Sequence, residues 1–268
     1  MKIKPGFLMR SLRHADTRAQ DIVRDAKKVL LPRVRDGSRR AFLSRTLSLG
    51  GVALLSGCNV SDDEHVERAL TRISRFNDDV QGWIFDPSQL APTYPESMIT
   101  RPFPFNAYYG REEIRQVDGE TFRLELAGMV REKRAWGLPE LAALPQEEQI
   151  TRHICVEGWS AIGRWGGVRF SSFLERIGAD TTARYIGFKC ADDYYTSIDM
   201  PTALHPQTLL ALTYDGQTLP PEYGYPMKLR MPTKLGYKNP KHIQAIFVTN
   251  TFPGGYWEDQ GYNWFGGS

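Results

Sequence analysis

The stretch from Arg152 to Leu174 constrains the fold of this chain more than any other. The residues leading into it, 150–156, form a β-favouring run, which predicts a strand that ends near Cys155. A turn is predicted through Gly158 to Gly167, followed by a helix whose apolar residues recur about once per turn. The residues of that predicted apolar stripe are Val168, Phe170, Phe173, Leu174 and Ile177.

Cys155 lies where the predicted strand meets the turn. A strand end is a rigid support, and the turn beyond it leaves room for a ligand, so the position suits a functional side chain. The alternative is that Cys155 is a small buried apolar residue, as most free cysteines are.

The motif CVEGWS at 155–160, followed by W-x-G-V and an amphipathic helix, resembles the bacterial branch of the sulfite-oxidase family. The resemblance implies an α+β, β-rich fold with a single catalytic domain that binds a molybdenum–molybdopterin cofactor. In that family the matching cysteine is a protein ligand of molybdenum, so Cys155 is the expected catalytic residue and metal ligand. A soft thiolate suits such a metal, and coordination keeps the thiol deprotonated.

The same resemblance implies cofactor contacts in three other regions. The segment 101–110 matches a stretch that lies against the pterin, although its bare sequence also fits a turn with aromatic packing. The end of the predicted strand 183–190 matches a position beside the cofactor, and 220–243 matches the region that holds the pterin's phosphate. The residues implied are Asn106, Tyr109, Gly110, Cys190, Tyr223, Lys228, Asn239, Pro240 and Lys241.

The region 220–243 is also basic, with its cations separated by Gly and Pro. Such spacing predicts a loop whose cations converge on a phosphate, whereas the alternative is a solvated charged face. Relatives have Arg where this chain has Lys228, so the charge is kept and the bidentate geometry is lost. The five cations are Lys228, Arg230, Lys234, Lys238 and Lys241.

The first 58 residues are predicted to be an export leader. Ser38–Leu43 reads SRRAFL, a twin-arginine motif, and a short apolar run follows at Leu47–Leu55. Leu55–Cys58 (LSGC) resembles a lipobox, which predicts a periplasmic protein anchored to the inner membrane through lipidated Cys58. The alternatives are an ordinary buried helix, or cleavage near Cys58 without lipidation.

The charge distribution agrees with a separate leader. The first 45 residues hold thirteen of the 34 Lys and Arg residues but only four of the 31 Asp and Glu residues, so the rest of the chain is mildly acidic. A mildly acidic body has no broad nucleic-acid-binding surface, and none is predicted.

After the leader, residues 59–99 are predicted to be a tether and wrapping segment with a helix over 61–80, and residues 100–268 the catalytic domain. Asp215-Gly216 predicts a tight hairpin turn, and His205 is expected to cap a loop rather than carry a proton. Within the domain, strands are predicted at 121–130, 183–190, 194–200, 209–214 and 242–249, and a helix at 138–149.

The three cysteines leave one structural alternative open, a Cys155–Cys190 disulfide. No CxxCH motif for covalent haem and no zinc-type Cys/His spacing occurs in the sequence. Because no redox module is evident, the expected electron partner is a separate membrane subunit of the cytochrome b type.

The residues around Cys155 bear on the substrate. Sulfite oxidases surround their metal with arginines, whereas this chain has Phe105 before Asn106 and Val-Glu-Gly-Trp-Ser after Cys155. An anion pocket without cations is unfavourable, so the resemblance favours the exported branch that reduces sulfoxides. The alternatives are a dehydrogenase for sulfite or another small molecule that passes electrons to a cytochrome, and a metal-free binding module.

Overall fold

A computed structural model describes residues 64–268. The predicted leader, with its twin-arginine motif and Cys58, lies outside the described residues. The chain divides after Arg72, and the second unit, Ile73–Ser268, contains every strand among the described residues. None of the helices within 64–268 combines the length and the apolar character needed to cross a membrane.

Four helices and nine strands make up the regular structure of the described residues. The helices are α1 (Glu64–Ile84), α2 (Leu138–Ala142), α3 (Phe170–Arg176) and α4 (Met200–Leu204). The strands are β1 (Glu125–Gly128), β2 (Gln146–Ile154), β3 (Ser160–Arg169), β4 (Tyr185–Cys190), β5 (Tyr195–Asp199), β6 (Leu209–Tyr214), β7 (Gln217–Thr218), β8 (Lys228–Arg230) and β9 (Ile243–Thr249).

The strands form two sheets. One has the order β1-β9-β4-β5, in which β1 and β9 are parallel and the other neighbours antiparallel. The other is antiparallel with the order β2-β3-β6-β7, and β8 also pairs with β6. These mostly antiparallel sheets with separate helices confirm the predicted α+β, β-rich fold.

Apolar side chains from both sheets and from α2, α3 and α4 share one buried core. The predicted apolar stripe belongs to it, because all five of its residues are buried. A second, smaller cluster is aromatic and contains Phe103, Trp165, Tyr214 and Tyr223. This second cluster lies beside the site described below, through Trp165.

The turn predicted through Gly158 to Gly167 is wrong, because β3 occupies most of that stretch and only residues 155–159 turn. The glycines serve close strand pairing instead. A Cβ on Gly167 would lie 1.9 Å from the carbonyl oxygen of Leu210 on β6, and the register shifts there. Glycine in a strand often marks such a close approach or bulge.

The helix predicted at 138–149 is right at its start and wrong at its end, since α2 stops at Ala142 and β2 begins at Gln146. The Asp215-Gly216 hairpin is confirmed, with φ of 49° and 76°. His205 is buried at the end of α4, where its Nε2 lies 3.0 Å from the carbonyl oxygen of Gln89, so its predicted structural role is confirmed.

Candidate active site

A partly enclosed cavity with about 120 Å³ of solvent-accessible space lies beside Cys155. Its walls come from segments that are far apart in sequence, 106–109, 155–157, 192–194 and 236–241. Lys228, Trp257 and Tyr262 complete the lining.

The turn between β2 and β3 fixes the position of Cys155. Its N–H donates to the carbonyl oxygen of Trp159 at 2.9 Å, and its own carbonyl accepts from the N–H of Gly158 at 3.1 Å. Gly158 has φ of +92°, a conformation that favours glycine. The residue therefore sits on a short, hydrogen-bonded turn directly after a strand, as the sequence predicts.

Two polar groups contact the Cys155 sulfur, and a third holds one of them in place. The Asn106 amide donates to Sγ at 3.7 Å, and the thiol donates to a Glu157 carboxylate oxygen at 3.6 Å. Trp159 Nε1–H donates to the same carboxylate oxygen at 2.9 Å, which holds Glu157 beside the thiol. The sulfur is thus framed by one amide donor and one acidic acceptor.

Burial raises the pKa of the Cys155 thiol, and the Glu157 carboxylate raises it further. The thiol is therefore protonated near neutral pH and is a weak nucleophile by itself. A bound metal cation reverses this preference, because a coordinating thiol is deprotonated.

His153 holds Asn106 in place. The amide nitrogen of Asn106 lies 3.2 Å from His153 Nε2, and since an amide nitrogen only donates, Nε2 accepts. His153 is buried, and burial together with Lys228 and Arg230 holds its pKa well below the usual range, so the ring is neutral. A Cβ on Gly236 would lie 2.7 Å from His153 Nε2 and 2.8 Å from Asn106 Nδ2, so a larger residue at 236 would displace this pair.

Two lysines bring ammonium groups to the cavity without an ion-pair partner among the described residues. Lys228 is buried on β8, with Nζ 4.8 Å from the ring centre of Trp165. Lys241 Nζ donates to the carbonyl oxygen of Glu222 at 3.2 Å and lies 4.8 Å from the ring centre of Phe105. Burial lowers the pKa of Lys241 to about 8 and that of Lys228 well below its usual range.

Asp192 organises the neighbouring wall of the cavity. Its carboxylate accepts from Tyr109 OH at 3.0 Å, and its backbone carbonyl accepts a short hydrogen bond from Tyr108 OH. Burial, followed by the Asp192 charge, raises the pKa of Tyr108 to about 12. Both phenols therefore remain protonated.

The structure brings seven of the ten predicted site residues to this cavity: Asn106, Tyr109, Cys155, Lys228, Asn239, Pro240 and Lys241. The Asn239 side chain is engaged within the protein, since it accepts from Met231 N–H at 2.7 Å and donates to Leu235 O at 3.0 Å. Asn239 therefore shapes the loop and leaves its side-chain amide little capacity for a ligand.

Gly110, Cys190 and Tyr223 do not line the cavity. Tyr223 OH donates to the carbonyl oxygen of Phe103 at 3.0 Å inside the aromatic cluster. Cys190 is buried in the main core at the end of β4, and Gly110 precedes a turn of 3-10 helix over 111–113. Their contacts with a cofactor stay predictions.

The prediction that all five cations of 228–241 converge is wrong for three of them. Lys234 donates to the carbonyl oxygen of Phe265, Lys238 forms a short ion pair with Glu258, and Arg230 donates to the carbonyl oxygen of Arg152 at 2.7 Å. Their partners come from distant parts of the chain, so the local pattern of charge carries no sign of them.

The Cys155–Cys190 disulfide is also wrong, because both cysteines are free. The cavity instead offers a soft thiol together with the ammonium groups of buried Lys228 and half-buried Lys241, neither of which has an ion-pair partner among residues 64–268. A thiol suits molybdenum, and buried ammonium groups suit a phosphate, so this donor set fits a molybdopterin carrying the metal.

Residues 111–257 match the model of the family described as "Oxidoreductase molybdopterin binding domain". The chain belongs to this family. The predicted resemblance to sulfite-oxidase-type molybdopterin enzymes is therefore confirmed, and the protein is an oxidoreductase of this class.

Two relatives carry reductase names. The chain is 69% identical to the putative protein-methionine-sulfoxide reductase subunit YedZ1 of Azospira oryzae, over 92% of this chain and 94% of that protein. It is 35% identical to the protein-methionine-sulfoxide reductase catalytic subunit MsrP of Xanthomonas axonopodis pv. citri, over 44% of this chain and 42% of the relative. The second match thus covers less than half of either protein.

Among solved structures, the sulfane dehydrogenase SoxCD of Paracoccus pantotrophus aligns with a TM-score of 0.48 and 18% identity. The alignment covers 52% of this chain and 40% of that chain. A likeness at this level carries no argument about the site.

Sequence reasoning missed several residues of the cavity. Glu157 lies two residues after Cys155, where a polar side chain beside the motif was a usable signal. His153, Asp192 and Gly236 gave no such signal, because their importance depends on contacts with segments far away in sequence.

Proposed function

We propose that this chain reduces a sulfoxide by oxygen-atom transfer at a molybdenum–molybdopterin cofactor. The observation that supports this most is the Cys155 thiol in a cavity that also holds two ammonium groups without ion-pair partners in the described part of the chain. The name of the 69% identical relative supports a methionine sulfoxide as the substrate. The domain limits that go with this proposal are 1–58, 59–99 and 100–268.

In this proposal Cys155 holds the metal, and Lys228 and Lys241 hold the terminal phosphate. Asn106 and Tyr109 line the wall of the cavity that would face the pterin. When bound, the cofactor supplies two-electron oxygen-atom transfer, while the protein positions it and shapes the substrate pocket. The sulfoxide takes up two electrons and two protons, and the products are a thioether and water.

Asn106 is the polar group best placed to orient a ligand beside Cys155. One N–H of its amide is directed at His153 Nε2 and the other lies toward Cys155 Sγ. Because His153 is neutral and buried, it keeps the amide in one orientation. A preorganised donor of this kind needs no rearrangement when a polar oxygen enters the site.

Charges near Cys155 favour a neutral substrate over a dianion. The Glu157 carboxylate lies 3.6 Å from Sγ, so a dianion bound at a metal held by Cys155 would have a second negative charge nearby. The residue before Asn106 is Phe105, whereas the resemblance to sulfite oxidases implies an arginine there in enzymes that bind sulfite. Sulfite would therefore meet repulsion here, whereas a sulfoxide would not.

The direction of catalysis can be tested on purified, molybdenum-loaded protein. Reduced viologen with methionine sulfoxide is expected to give turnover, and sulfite with ferricyanide is expected to give little. Glu157→Gln removes the repelling carboxylate and should raise the rate with sulfite, whereas Glu148→Gln, an exposed carboxylate on β2, should not. Faster turnover with sulfite than with sulfoxide in the unaltered protein would overturn the proposal.

We further propose that the protein is exported in folded form by the twin-arginine route. Arg39→Lys with Arg40→Lys keeps the charge and removes the paired guanidinium groups, so loaded protein should accumulate in the cytoplasm. The matched control is Arg33→Lys with Arg35→Lys, which should be exported normally. Periplasmic delivery of the Arg39/Arg40 variant would contradict the route.

Membrane attachment through lipidated Cys58, and electron supply by a membrane haem subunit of the cytochrome b type, belong to the same proposal. Each buried methylene of an acyl chain contributes about 0.8 kcal/mol, so lipidated protein should resist a salt wash. Cys58→Ala should still be exported but should be released by salt. Release of the unaltered protein by salt would show that Cys58 carries no lipid.

A further inference from the structure

The helix α1 exposes its apolar side chains. Ile73, Phe76, Trp83 and Ile84 are 57%, 66%, 86% and 68% exposed. With 3.6 residues per turn, these four positions fall on one face of the helix. We call them the α1 apolar face.

The opposite side of α1 packs on the rest of the Ile73–Ser268 unit through polar groups. The Asp78 carboxylate accepts from Phe265 N–H at 2.8 Å and from the Asn263 amide at 2.6 Å. Gln81 Oε1 accepts from Gly267 N–H at 3.3 Å. The helix is thus reversed relative to an ordinary surface helix, which buries its apolar stripe and exposes its polar one.

The exposed apolar surface continues past the end of α1. Leu90 is 57% exposed, and together with Ile84 it lines an open surface groove. Contiguous apolar patches of this kind mark sites that are covered by a partner or a membrane.

We propose that the α1 apolar face lies in the interfacial layer of a lipid bilayer. The helix begins six residues after Cys58, so the sequence brings it close to the predicted point of membrane attachment. Trp83 is the most exposed residue of the face, and tryptophan is the side chain that most favours the membrane–water interface.

The charges on α1 indicate what drives this binding. Its last three turns carry Arg75, Asp78 and Asp79, and therefore no excess of positive charge. Binding is driven by apolar burial, so it depends little on anionic lipid or on salt. The polar side that contacts the protein keeps the helix parallel to the membrane surface.

The test uses the full chain with Cys58→Ser, so that no acyl chain contributes, and flotation with phosphatidylcholine vesicles. The protein should float, and adding Phe76→Gln and Trp83→Gln should lower the partition coefficient at least about tenfold. The matched control, Arg75→Gln with Asp79→Asn, alters exposed polar residues on the same helix and should float like the parent. The leader is identical in all three proteins, so the difference reports α1 alone.

Tryptophan fluorescence gives a second readout. Vesicles should shift the emission to shorter wavelength, and Trp83→Phe should abolish the shift while retaining most of the binding. Equal flotation of the Phe76/Trp83 variant and its parent would overturn the proposal, as would a parent that does not float. A dimer in sedimentation that dissociates in the Phe76/Trp83 variant, without a change in flotation, would also overturn it by assigning the face to a second copy of the chain.

Discussion

Two pairs of lysines in the same basic run have opposite environments. Lys234 and Lys238 are buried with protein partners, the carbonyl oxygen of Phe265 and the carboxylate of Glu258. Lys228 and Lys241 reach the cavity, and no ion pair neutralises either of them among the described residues. All four lysines belong to one basic run of the sequence, yet Lys234 and Lys238 are bound by protein groups, whereas Lys228 and Lys241 have no ion-pair partner among the described residues.

The comparison distinguishes structural cations from binding cations. A buried charge without a partner destabilises the protein, so it persists where a ligand supplies the missing charge. A buried charge with a partner says little about function. Lys228 and Lys241 therefore support a phosphate site, and Lys234 and Lys238 serve as an internal control.

Replacing the free pair should have the largest effect. Lys228→Met with Lys241→Met removes two charge-assisted contacts of about 1.5–3 kcal/mol each, so molybdopterin occupancy should fall well over tenfold. The cofactor-free protein should be at least as stable as before, because one buried and one half-buried amine without ion-pair partners among the described residues are gone. Molybdenum content and denaturant unfolding measure the two effects, and normal occupancy would show that the lysines do not hold the phosphate.

The paired lysines should respond in the opposite way. Lys238→Met leaves the Glu258 carboxylate buried without its partner, which should lower the free energy of unfolding by about 3–5 kcal/mol. The loss should appear with or without cofactor, and the cofactor affinity of the folded protein should be unchanged. If Lys238→Met lost cofactor affinity while keeping full stability, Lys238 would act like Lys228 and Lys241, and the distinction between the two pairs of lysines would be wrong.

The pH dependence of stability sharpens the same comparison. The folded pKa of Lys241, about 8, is below its unfolded value, so between about pH 8 and 10 the unfolded chain binds more protons. Cofactor-free protein should therefore gain about 2 kcal/mol of stability over this window. Burial lowers the pKa of Lys234 to about 7, so Lys234 also adds stability as the pH rises. It does so both with and without cofactor.

In cofactor-loaded protein the phosphate keeps Lys241 charged, so the Lys241 part of the rise should vanish. Unfolding by urea at pH 8, 9 and 10, with and without cofactor, measures the difference. If the free energy of unfolding rises equally with pH in the cofactor-loaded and cofactor-free proteins, the phosphate does not lie near Lys241.

The smallest effect is expected at Tyr223. Tyr223→Phe removes the hydrogen bond to the Phe103 carbonyl and should cost about 1 kcal/mol of stability. Cofactor occupancy should stay unchanged, since Tyr223 does not line the cavity. If cofactor occupancy fell while stability stayed normal, the result would support the predicted contact between Tyr223 and the cofactor.

Local patterns predicted much of the fold. Periodicity and turn chemistry predicted the core residues from Val168 to Ile177, the Asp215-Gly216 turn and the strand that ends just before Cys155. The glycines of 163–167 misled the prediction, because the same residue type serves a turn and a close strand pair.

The site was predictable only where one segment carries it. Cys155 and Asn106 could be found from motifs, and both lie at the cavity. The sequence could not show which cations of the basic run reach the cavity. Lys238, for example, pairs with Glu258, which lies twenty residues away in sequence. Whether a charge is neutralised is a property of the tertiary structure.

The coordination of molybdenum by Cys155 is the central claim, and X-ray absorption at the molybdenum edge tests it most directly. The account predicts that Cys155→Ser either lacks molybdenum or binds it with one sulfur ligand fewer than the unaltered protein. Cys190→Ser, the other described cysteine, should keep both the metal and its sulfur ligands. Full molybdenum content with unchanged sulfur coordination in Cys155→Ser would contradict the account.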